Sequence, residues 1–312
     1  MKVGVILNPI AGGGGLVRRR GELEAALARH FAEWQIRLTE ETGDGEHLAM
    51  AFAADGCDLI IAAGGDGTGS EAADGLLQAR MEHGKTPALA FIPCGTGTDF
   101  ARGLGLTRNI EKTIRRIAET QPRNVDGGRI SYVAHDGRLA SRHFINIASA
   151  GLSGAAARAV NRDKRKGKVS AKALFFWHTV VEFLRFRFRD VRVTIDDGPP
   201  IEARAALVAV CNGRFFGGGM MVAPDADLAD RQFDVVIVRA SGKLGLIWAL
   251  RLIYAGRHRH HHSVTILRGQ RVTVEPLAVA DDTELLVEID GEALGRCPAT
   301  FEIVPQALIL KC

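Results

Sequence analysis

The chain has 312 residues, 46% hydrophobic and 24% charged, which allows one or two domains with a sizeable core. A net charge of +4 and a pI of about 8.9 suit an anionic partner such as nucleotide, nucleic acid or an anionic membrane surface, without choosing among them. No run reaches about 18 apolar residues, so no spanning helix is expected, and Met1–Leu7 is too short an apolar start for a signal peptide. The five cysteines, Cys57, Cys94, Cys211, Cys297 and Cys312, form no CxxC pair and no zinc spacing. They read as reduced thiols of a cytosolic protein.

In chain order, Val3–Leu7 predicts a strand that runs into Asn8-Pro9-Ile10-Ala11-Gly12-Gly13-Gly14-Gly15. Leu23, Ala26, Leu27 and Phe31 then recur at helical spacing. A Gly-rich loop before a helix offers backbone N–H groups to phosphate. This one lacks the Gly-Lys-Ser/Thr ending of a P-loop and the GxGxxG of a dinucleotide fold, so a flexible connector is an equal reading. Gln35–Leu38 predicts a second strand and His47–Ala54 a helix. Leu59–Ala63 predicts a third strand, ending in Gly64-Gly65-Asp66-Gly67-Thr68, with a helix over Glu71–Glu82. Ala88–Ile92 predicts a fourth, ending in Pro93-Cys94-Gly95-Thr96-Gly97-Thr98-Asp99-Phe100. Strands alternating with helices indicate a doubly wound parallel sheet. Its polar loops would converge on one sheet edge, where such folds bind ligands.

Beyond Val125-Asp126 the pattern changes to short strands with turn punctuation: Arg129–Val133, His143–Ile147, Val191–Ile195, Arg204–Cys211, Phe233–Val238, Arg271–Glu275 and Leu285–Ile289. These predict a mostly antiparallel, β-sandwich-like second domain. Helical segments interrupt it at Ser170–Arg185 and Leu244–Tyr254. Thr300–Val304 and Leu308–Leu310 are expected to return to the first domain. The expected division is 1–125 with 300–312, and 126–299.

Taken together, Asn8-Pro9 with its glycines, Gly64–Thr68, Pro93–Thr96 and Asp99–Arg102 resemble the diacylglycerol kinase catalytic domain family. That family includes bacterial soluble lipid kinases and sphingosine and ceramide kinases, and is distantly related to NAD kinases. Phe144–Gly151, Asn212-Gly213, Phe216–Met220, Pro224–Asp230 and Asp290-Gly291-Glu292 continue the match in the family's order over nearly the whole chain. The resemblance implies an NAD kinase/diacylglycerol kinase-like two-domain architecture. It also implies Mg-dependent transfer of the ATP γ-phosphate to a lipid hydroxyl, with nucleotide in a cleft between the domains.

By the same resemblance Asn8, Gly12, Gly13, Gly14 and Thr39 would line the nucleotide site. Gly64, Gly65, Asp66, Gly67 and Thr68 would hold the phosphates, with Thr96 nearby. Asp66, Asp99 and Asp126 would form the magnesium-associated polar network. Asp290 and Glu292 would stand at the acceptor, one of them as general base. Asp227, Asp230 and Gln232 would hold a second, structural magnesium, partly through backbone carbonyls. The residue types suit the chemistry, because phosphoryl transfer needs positioning and charge neutralisation more than covalent help, and carboxylates hold Mg²⁺ through oxygen.

The chain departs from the family at Thr98, where Asn is usual, and at Arg231, where a Gly would follow Asp230. The basic residues that assist phosphate are not clearly matched; Arg18, Arg19, Lys166 and Lys168 are candidates. The run Asp163–Lys168, with Leu174–Trp177 and Phe183–Arg189, reads equally as a membrane-facing rim and as a solvated charge run beside a core helix. Arg257–His262 reads as a basic loop at a helix end. The expected partners are a lipid substrate and an anionic membrane surface, on a cytoplasmic, peripherally attached protein without a nucleic-acid-reading motif. Oligomeric state is left open, a homodimer included. The rival readings are a kinase of a non-lipid acceptor such as NAD or a polyol, and a catalytically inactive nucleotide- or lipid-binding protein.

Overall fold

The structure is a computed structural model that describes residues 1–83, 86–95, 98–164, 188–240, 252–277 and 284–312. The chain divides into two compact units, Met1–Gly127 with Pro305–Cys312, and Gly128–Val304. The helical segments expected at Ser170–Arg185 and over most of Leu244–Tyr254 lie outside the described residues, as do Thr96, Lys166 and Lys168.

Unit 1 contains β1 (Lys2–Leu7), α1 (Gly15–Arg18), α2 (Arg20–His30), β2 (Glu33–Leu38), α3 (Asp44–Ala54), β3 (Leu59–Gly64), α4 (Asp66–His83), β4 (Ala88–Pro93), α5 (Asp99–Gly103), α6 (Ile110–Glu119) and the start of β5 (Arg123–Ala134). The sheet is parallel: β1 pairs β2 on one side and β3 on the other, and β3 pairs β4. Both faces are covered, so β3 is buried at every position rather than alternating. Val3, Val5 and Leu7 point into a core with Leu23 and Leu27 of α2 and Ile114 and Ile117 of α6. The alternate residues Ile6 and Ile60 are also fully buried.

The helix predicted over Glu71–Glu82 starts earlier, at Asp66. Gly67 and Gly69 are poor helix formers, which hides this first turn from a periodicity reading. The helix α6 is capped by Asn109, whose side chain accepts the amide of Lys112 at 2.9 Å.

Unit 2 continues β5 and adds β6 (Leu139–Phe144), β7 (Ile147–Gly151), α7 (Leu152–Lys164), β8 (Arg189–Ile195), β9 (Ile201–Cys211), β10 (Phe215–Phe216), β11 (Met220–Met221), β12 (Phe233–Arg239), β13 (Val264–Gly269), β14 (Arg271–Pro276), β15 (Leu286–Ile289) and most of β16 (Glu292–Leu310). Its pairings are antiparallel and they close a ring. The strand β9 pairs β7, β7 pairs β15, β15 pairs β16, β16 pairs β14, β14 pairs β8, and β8 returns to β9. Closure removes exposed strand edges from that circuit. Inside lie Val191, Val193, Val208, Val210, Phe233, Val272, Val287 and Phe301. Phe144 stacks on Phe233 with ring centroids 5.5 Å apart.

Two sequence expectations are corrected here. The single strand at His143–Ile147 is two, β6 and β7, because the amides between them turn onto a side chain (below). The two closing strands are one, β16, whose last residues belong to unit 1. There Leu310 pairs in parallel with Leu89 of β4, and the amide of Lys311 donates to the Leu89 carbonyl at 2.9 Å.

Candidate active site

In unit 1 the parallel register puts the carboxyl ends of β1, β2, β3 and β4 at one edge of the sheet. The loops that leave them are laced together by backbone hydrogen bonds. Asn8 donates its amide to Ala63 O at 3.0 Å, Thr39 to Leu7 O at 3.1 Å, and Cys94 to Gly64 O at 2.9 Å. Side chains then fix the loop shapes. Asn8 Oδ1 accepts the amides of Ile10 and Ala11 at 3.1 and 3.2 Å, while its Nδ2 donates to Thr68 Oγ1 at 3.1 Å. Gly12 sits at φ +59°, and a Cβ there would lie 2.0 Å from the Cys94 carbonyl oxygen, so only glycine fits. At Gly64 a Cβ would come within 2.4 Å of Thr68 Oγ1. Gly13 and Gly14 also take positive φ; a Cβ would meet nothing at Gly13, and at Gly14 the Arg18 guanidinium at 3.4 Å and the Pro9 carbonyl at 3.5 Å. Arg18 reaches back to donate to Gly13 O at 2.9 Å.

Asp66 opens α4 and at the same time receives the first amides of α5: Asp99 N on Oδ2 at 3.0 Å and Phe100 N on Oδ1 at 3.3 Å. Its charge is therefore placed at two helix N-termini, where partial positive charge gathers. Asp99 is itself buried, 4% exposed, with the Arg102 guanidinium 3.7 Å away. This chemistry fits magnesium carried on a phosphate, which uses one or two carboxylates and keeps its remaining positions for water and phosphate oxygens. Among the described residues no group of three or more acid, His or Cys side chains forms a cage. Asp126, expected in the same network, accepts the amide of Gln306 at 2.8 Å and ties the returning C-terminal residues to β5.

Glu71, one turn further along α4, was not singled out by its spacing. Its two oxygens accept the amides of Gly43 at 3.0 Å and Gly45 at 3.1 Å, which orders the loop after β2. Asp44 orders the other end of that loop by accepting the amides of Glu40 and Glu41, which hold its carboxyl below the usual range. The half-buried thiol of Cys94 is pushed up to about 12 by desolvation and is no nucleophile at neutral pH.

In unit 2 the expected pair Asp290 and Glu292 falls on the turn between β15 and β16. Asp290 is 8% exposed and lies at φ +46°, a conformation that is strained for a side-chain-bearing residue. Its carboxylate accepts three successive amides, Ile145 on Oδ2 at 3.0 Å and Asn146 and Ile147 on Oδ1 at 3.1 and 3.0 Å. Those are the amides missing from the expected His143–Ile147 strand. Asn146 Nδ2 donates to Phe215 O, and Asn212 Nδ2 donates to Ile145 O. Glu292 is 26% exposed at its side chain and accepts from Arg142 at 2.7 Å. Beside them, buried Glu288 accepts Ser149 Oγ at 2.5 Å and the Gly291 amide at 2.6 Å. Its only sequence signal is an acid between Val287 and Ile289.

The residues expected to hold a second magnesium, Asp227, Asp230 and Gln232, lie on the stretch that leads into β12. Asp227 Oδ1 accepts the amide of Ala229 and Asp230 Oδ1 that of Gln232, each at 3.1 Å. Asp230 Oδ2 pairs with Arg268, whose Nε also stands 3.9 Å from Asp234. Arg231 does take positive φ, +62°, where a Gly was expected. In the His-rich loop, buried His258 Nε2 lies 2.8 Å from Val222 O, and Ser263 Oγ lies 2.6 Å from His261 Nδ1. These contacts are structural.

Residues 2–130 match the diacylglycerol kinase catalytic domain, and residues 146–312 match the YegS C-terminal NAD kinase beta sandwich-like domain. A protein of Mycobacterium tuberculosis (strain ATCC 25618 / H37Rv) named diacylglycerol kinase is 27% identical over 308 residues, spanning 98% of this chain and 94% of its own. The Bacillus subtilis (strain 168) diacylglycerol kinase is 29% identical over 299 residues, spanning 95% and 91%. A solved structure from Bacillus anthracis str. Sterne, described there as a candidate diacylglycerol kinase, superposes with a TM-score of 0.75 at 26% identity, covering 99% and 96% of the two chains. The chain thus belongs to the family that joins a diacylglycerol kinase catalytic domain to a YegS-type NAD kinase-like β domain. It is a kinase of lipid-kinase type. No helix among the described residues is long and apolar enough to cross a membrane.

Proposed function

We propose that this protein transfers the γ-phosphate of ATP to the hydroxyl of a diacylglycerol-like lipid, with Mg²⁺, as a cytoplasmic protein working at an anionic membrane surface. The observation that carries the reading is the position of Asp66. It is held by the amides of Asp99 and Phe100 in the loop that also presents Thr68 to Asn8. One carboxylate thereby couples glycine-rich and helix-start segments of the kind that cradle phosphate. The names and coverage of the relatives support kinase chemistry and point to diacylglycerol as the first acceptor to try.

In this reading Gly12–Gly14 and Gly64–Thr68 bind the phosphates through backbone amides, with Asn8, Thr39 and Thr96 beside them. Asp66 and Asp99 would hold magnesium, which supplies charge neutralisation on the phosphates. Asp290 and Glu292 serve the acceptor. The test is transfer of label from [γ-³²P]ATP to 1,2-dioleoylglycerol, phosphatidylglycerol, sphingosine and ceramide in mixed micelles, with NAD and glycerol as soluble acceptors. A labelled dioleoylglycerol product is expected. Label only on NAD or glycerol, or tight ATP binding with no product from any acceptor, would overturn the proposal.

A further inference from the structure

We infer that Ser153 is a specificity-determining residue for the acceptor: its hydroxyl, polarised by Ser149 and Glu288, accepts a hydrogen bond from a second free hydroxyl on the lipid. The inference rests on the kinase reading above and names a class of acceptor within it. That class is a lipid whose hydroxyl beside the phosphorylated one is unesterified, as in a monoacylglycerol.

Three side chains form a line that leads away from the Asp290-Gly291-Glu292 turn. Glu288 Oε1 takes the Gly291 amide at 2.6 Å, Glu288 Oε2 takes the Ser149 hydroxyl at 2.5 Å, and Ser149 Oγ stands 2.7 Å from Ser153 Oγ. The fold brings them together simply. Glu288 and Ser149 are opposite one another in the ladder between β15 and β7. Ser153 follows in the first turn of α7. Gly154 lets that turn rest on β15, since a Cβ there would lie 2.6 Å from the Leu286 carbonyl oxygen. Ser149 and Glu288 are buried, while Ser153 is partly exposed. The line thus runs from a buried acid to a hydroxyl that a ligand can reach.

The hydrogens along it have one consistent order. An ionised carboxylate only accepts, and the 2.5 Å contact has the length of a charge-assisted O–H···O⁻ bond. Ser149 therefore spends its hydrogen on Glu288. Toward Ser153 it has only lone pairs, so Ser153 must donate to it. The Ser153 oxygen keeps lone pairs alone for anything outside, and among the described residues Ser149 is its one side-chain partner. An outside partner must bring an O–H or N–H. The first turn of a helix gathers partial positive charge, which disfavours an ammonium and leaves a neutral hydroxyl. In the kinase reading the reacting hydroxyl belongs to Asp290 and Glu292, so the donor for Ser153 is a second one. Folding alone does not call for this arrangement, because apolar groups of the same shape in place of two buried partners are nearly neutral or stabilising.

The probes are 1-monooleoylglycerol and its 2-O-methyl ether, which differ only at that second hydroxyl, offered in mixed micelles with [γ-³²P]ATP. The wild type is expected to favour the free diol by about 5-fold or more in kcat/KM. Ser153→Ala should abolish the preference, and Ser153→Thr, which keeps the hydroxyl, should restore it. In Glu288→Gln the Gly291 amide still claims the side-chain oxygen, so the new NH₂ faces Ser149 and the line reverses. Ser153 then turns its hydrogen outward, and the ether should serve at least as well as the diol. A merely structural role would lower the melting midpoint of these variants without moving the preference. A wild type that does not favour the diol, or a preference that survives Ser153→Ala, overturns the inference. Should Glu288→Gln not fold, Ser153→Ala at the partly exposed helix start decides alone. If the wild type labels no lipid, the kinase reading falls, and melting midpoints without ATP still test Ser153. A larger rise with the diol than with the ether, lost in Ser153→Ala, keeps it as a lipid-binding hydroxyl; equal rises in the wild type remove it.

Discussion

Asp66 in unit 1 and Asp290 in unit 2 do the same local thing by opposite means. Each accepts consecutive backbone amides from a segment far away in sequence. Around Asp66 the segments are glycine-rich and the amides come from a helix start, so the carboxylate adds to a dipole that already favours it. Around Asp290 the amides come from an interrupted strand, and the acid itself takes the left-handed conformation. The first arrangement leaves glycine loops open to a ligand's phosphates. The second fixes the 145–147 segment between β6 and β7. A carboxylate in a motif is thus a poor guide to its task until its acceptor capacity has been counted.

The strongest way to break this comparison is at Asp66. Asp66→Ala should abolish lipid labelling, a loss of about 10³-fold or more, while the β strands of unit 2 keep their amide protection. Activity within a factor of a few of wild type would remove Asp66 from the site. A smaller effect is expected at Glu71, which orders the loop after β2. Glu71→Gln should cost about 1–3 kcal/mol and raise KM for ATP more than it lowers kcat, as read from denaturant unfolding and steady-state rates.

Next in size is the charge pair that stands where a second cation was expected. Arg268→Met leaves Asp230 and buried Asp234 without their guanidinium and should lower stability by about 1 kcal/mol, since the pair is partly exposed. Melting midpoints of the wild type in Mg²⁺ and in EDTA without nucleotide test the structural cation: a clear rise with Mg²⁺ supports it, and agreement between the two removes it.

The smallest effects are those of pH, and they carry opposite signs. Burial lowers the pKa of His258, with the bond to Val222 O opposing, so the folded state binds this proton less readily than the unfolded chain does. Its contribution is present above about pH 6.5 and lost as pH falls. His258→Gln should flatten that loss. Asp234 is raised to about 6, by burial first and by Asp225 second, so it binds its proton more tightly when folded. Its share of stability falls as pH rises from about 4 to about 6. Asp234→Asn should therefore gain stability at neutral pH relative to wild type. Equilibrium unfolding across about pH 4–8 checks both.

How far the sequence could be read depended on the range of the interaction. The unit 1 strands were legible because a buried parallel strand is a short apolar run, and Gly64–Thr68 because glycines and an acid end one. The α/β and antiparallel halves followed from the change in punctuation near Asp126. The break between β6 and β7 was not legible, since its cause, Asp290, lies 143 to 145 residues on. Glu71 escaped because its partners are backbone amides, which leave no mark on composition, and Glu288 because its hydroxyl partner, Ser149, lies 139 residues away. The pairing of Arg268 with Asp230 joins residues 38 apart that carry no shared motif. The strand β13 and helix α7 were missed because their runs are short, or rich in alanine with weak punctuation.

The return of the last residues to unit 1 has a consequence for the order of events during synthesis. Residues 305–312 supply the strand segment beside β4, the amide held by Asp126, and Lys311, whose ammonium donates to Ala118 O at 3.0 Å and to Thr120 O at 2.5 Å. Arg80 of α4 waits for the same stretch, donating to the Ala307 carbonyl at 2.9 Å. A ribosome makes that stretch after the whole of unit 2. The nascent first unit must therefore stand with an uncovered sheet edge while about 180 residues are added, a wait of roughly 9–36 s at elongation rates of about 5–20 residues per second. Unit 2 needs nothing from later in the chain to close its ring. The half of the protein that is made second is the half that can finish folding first.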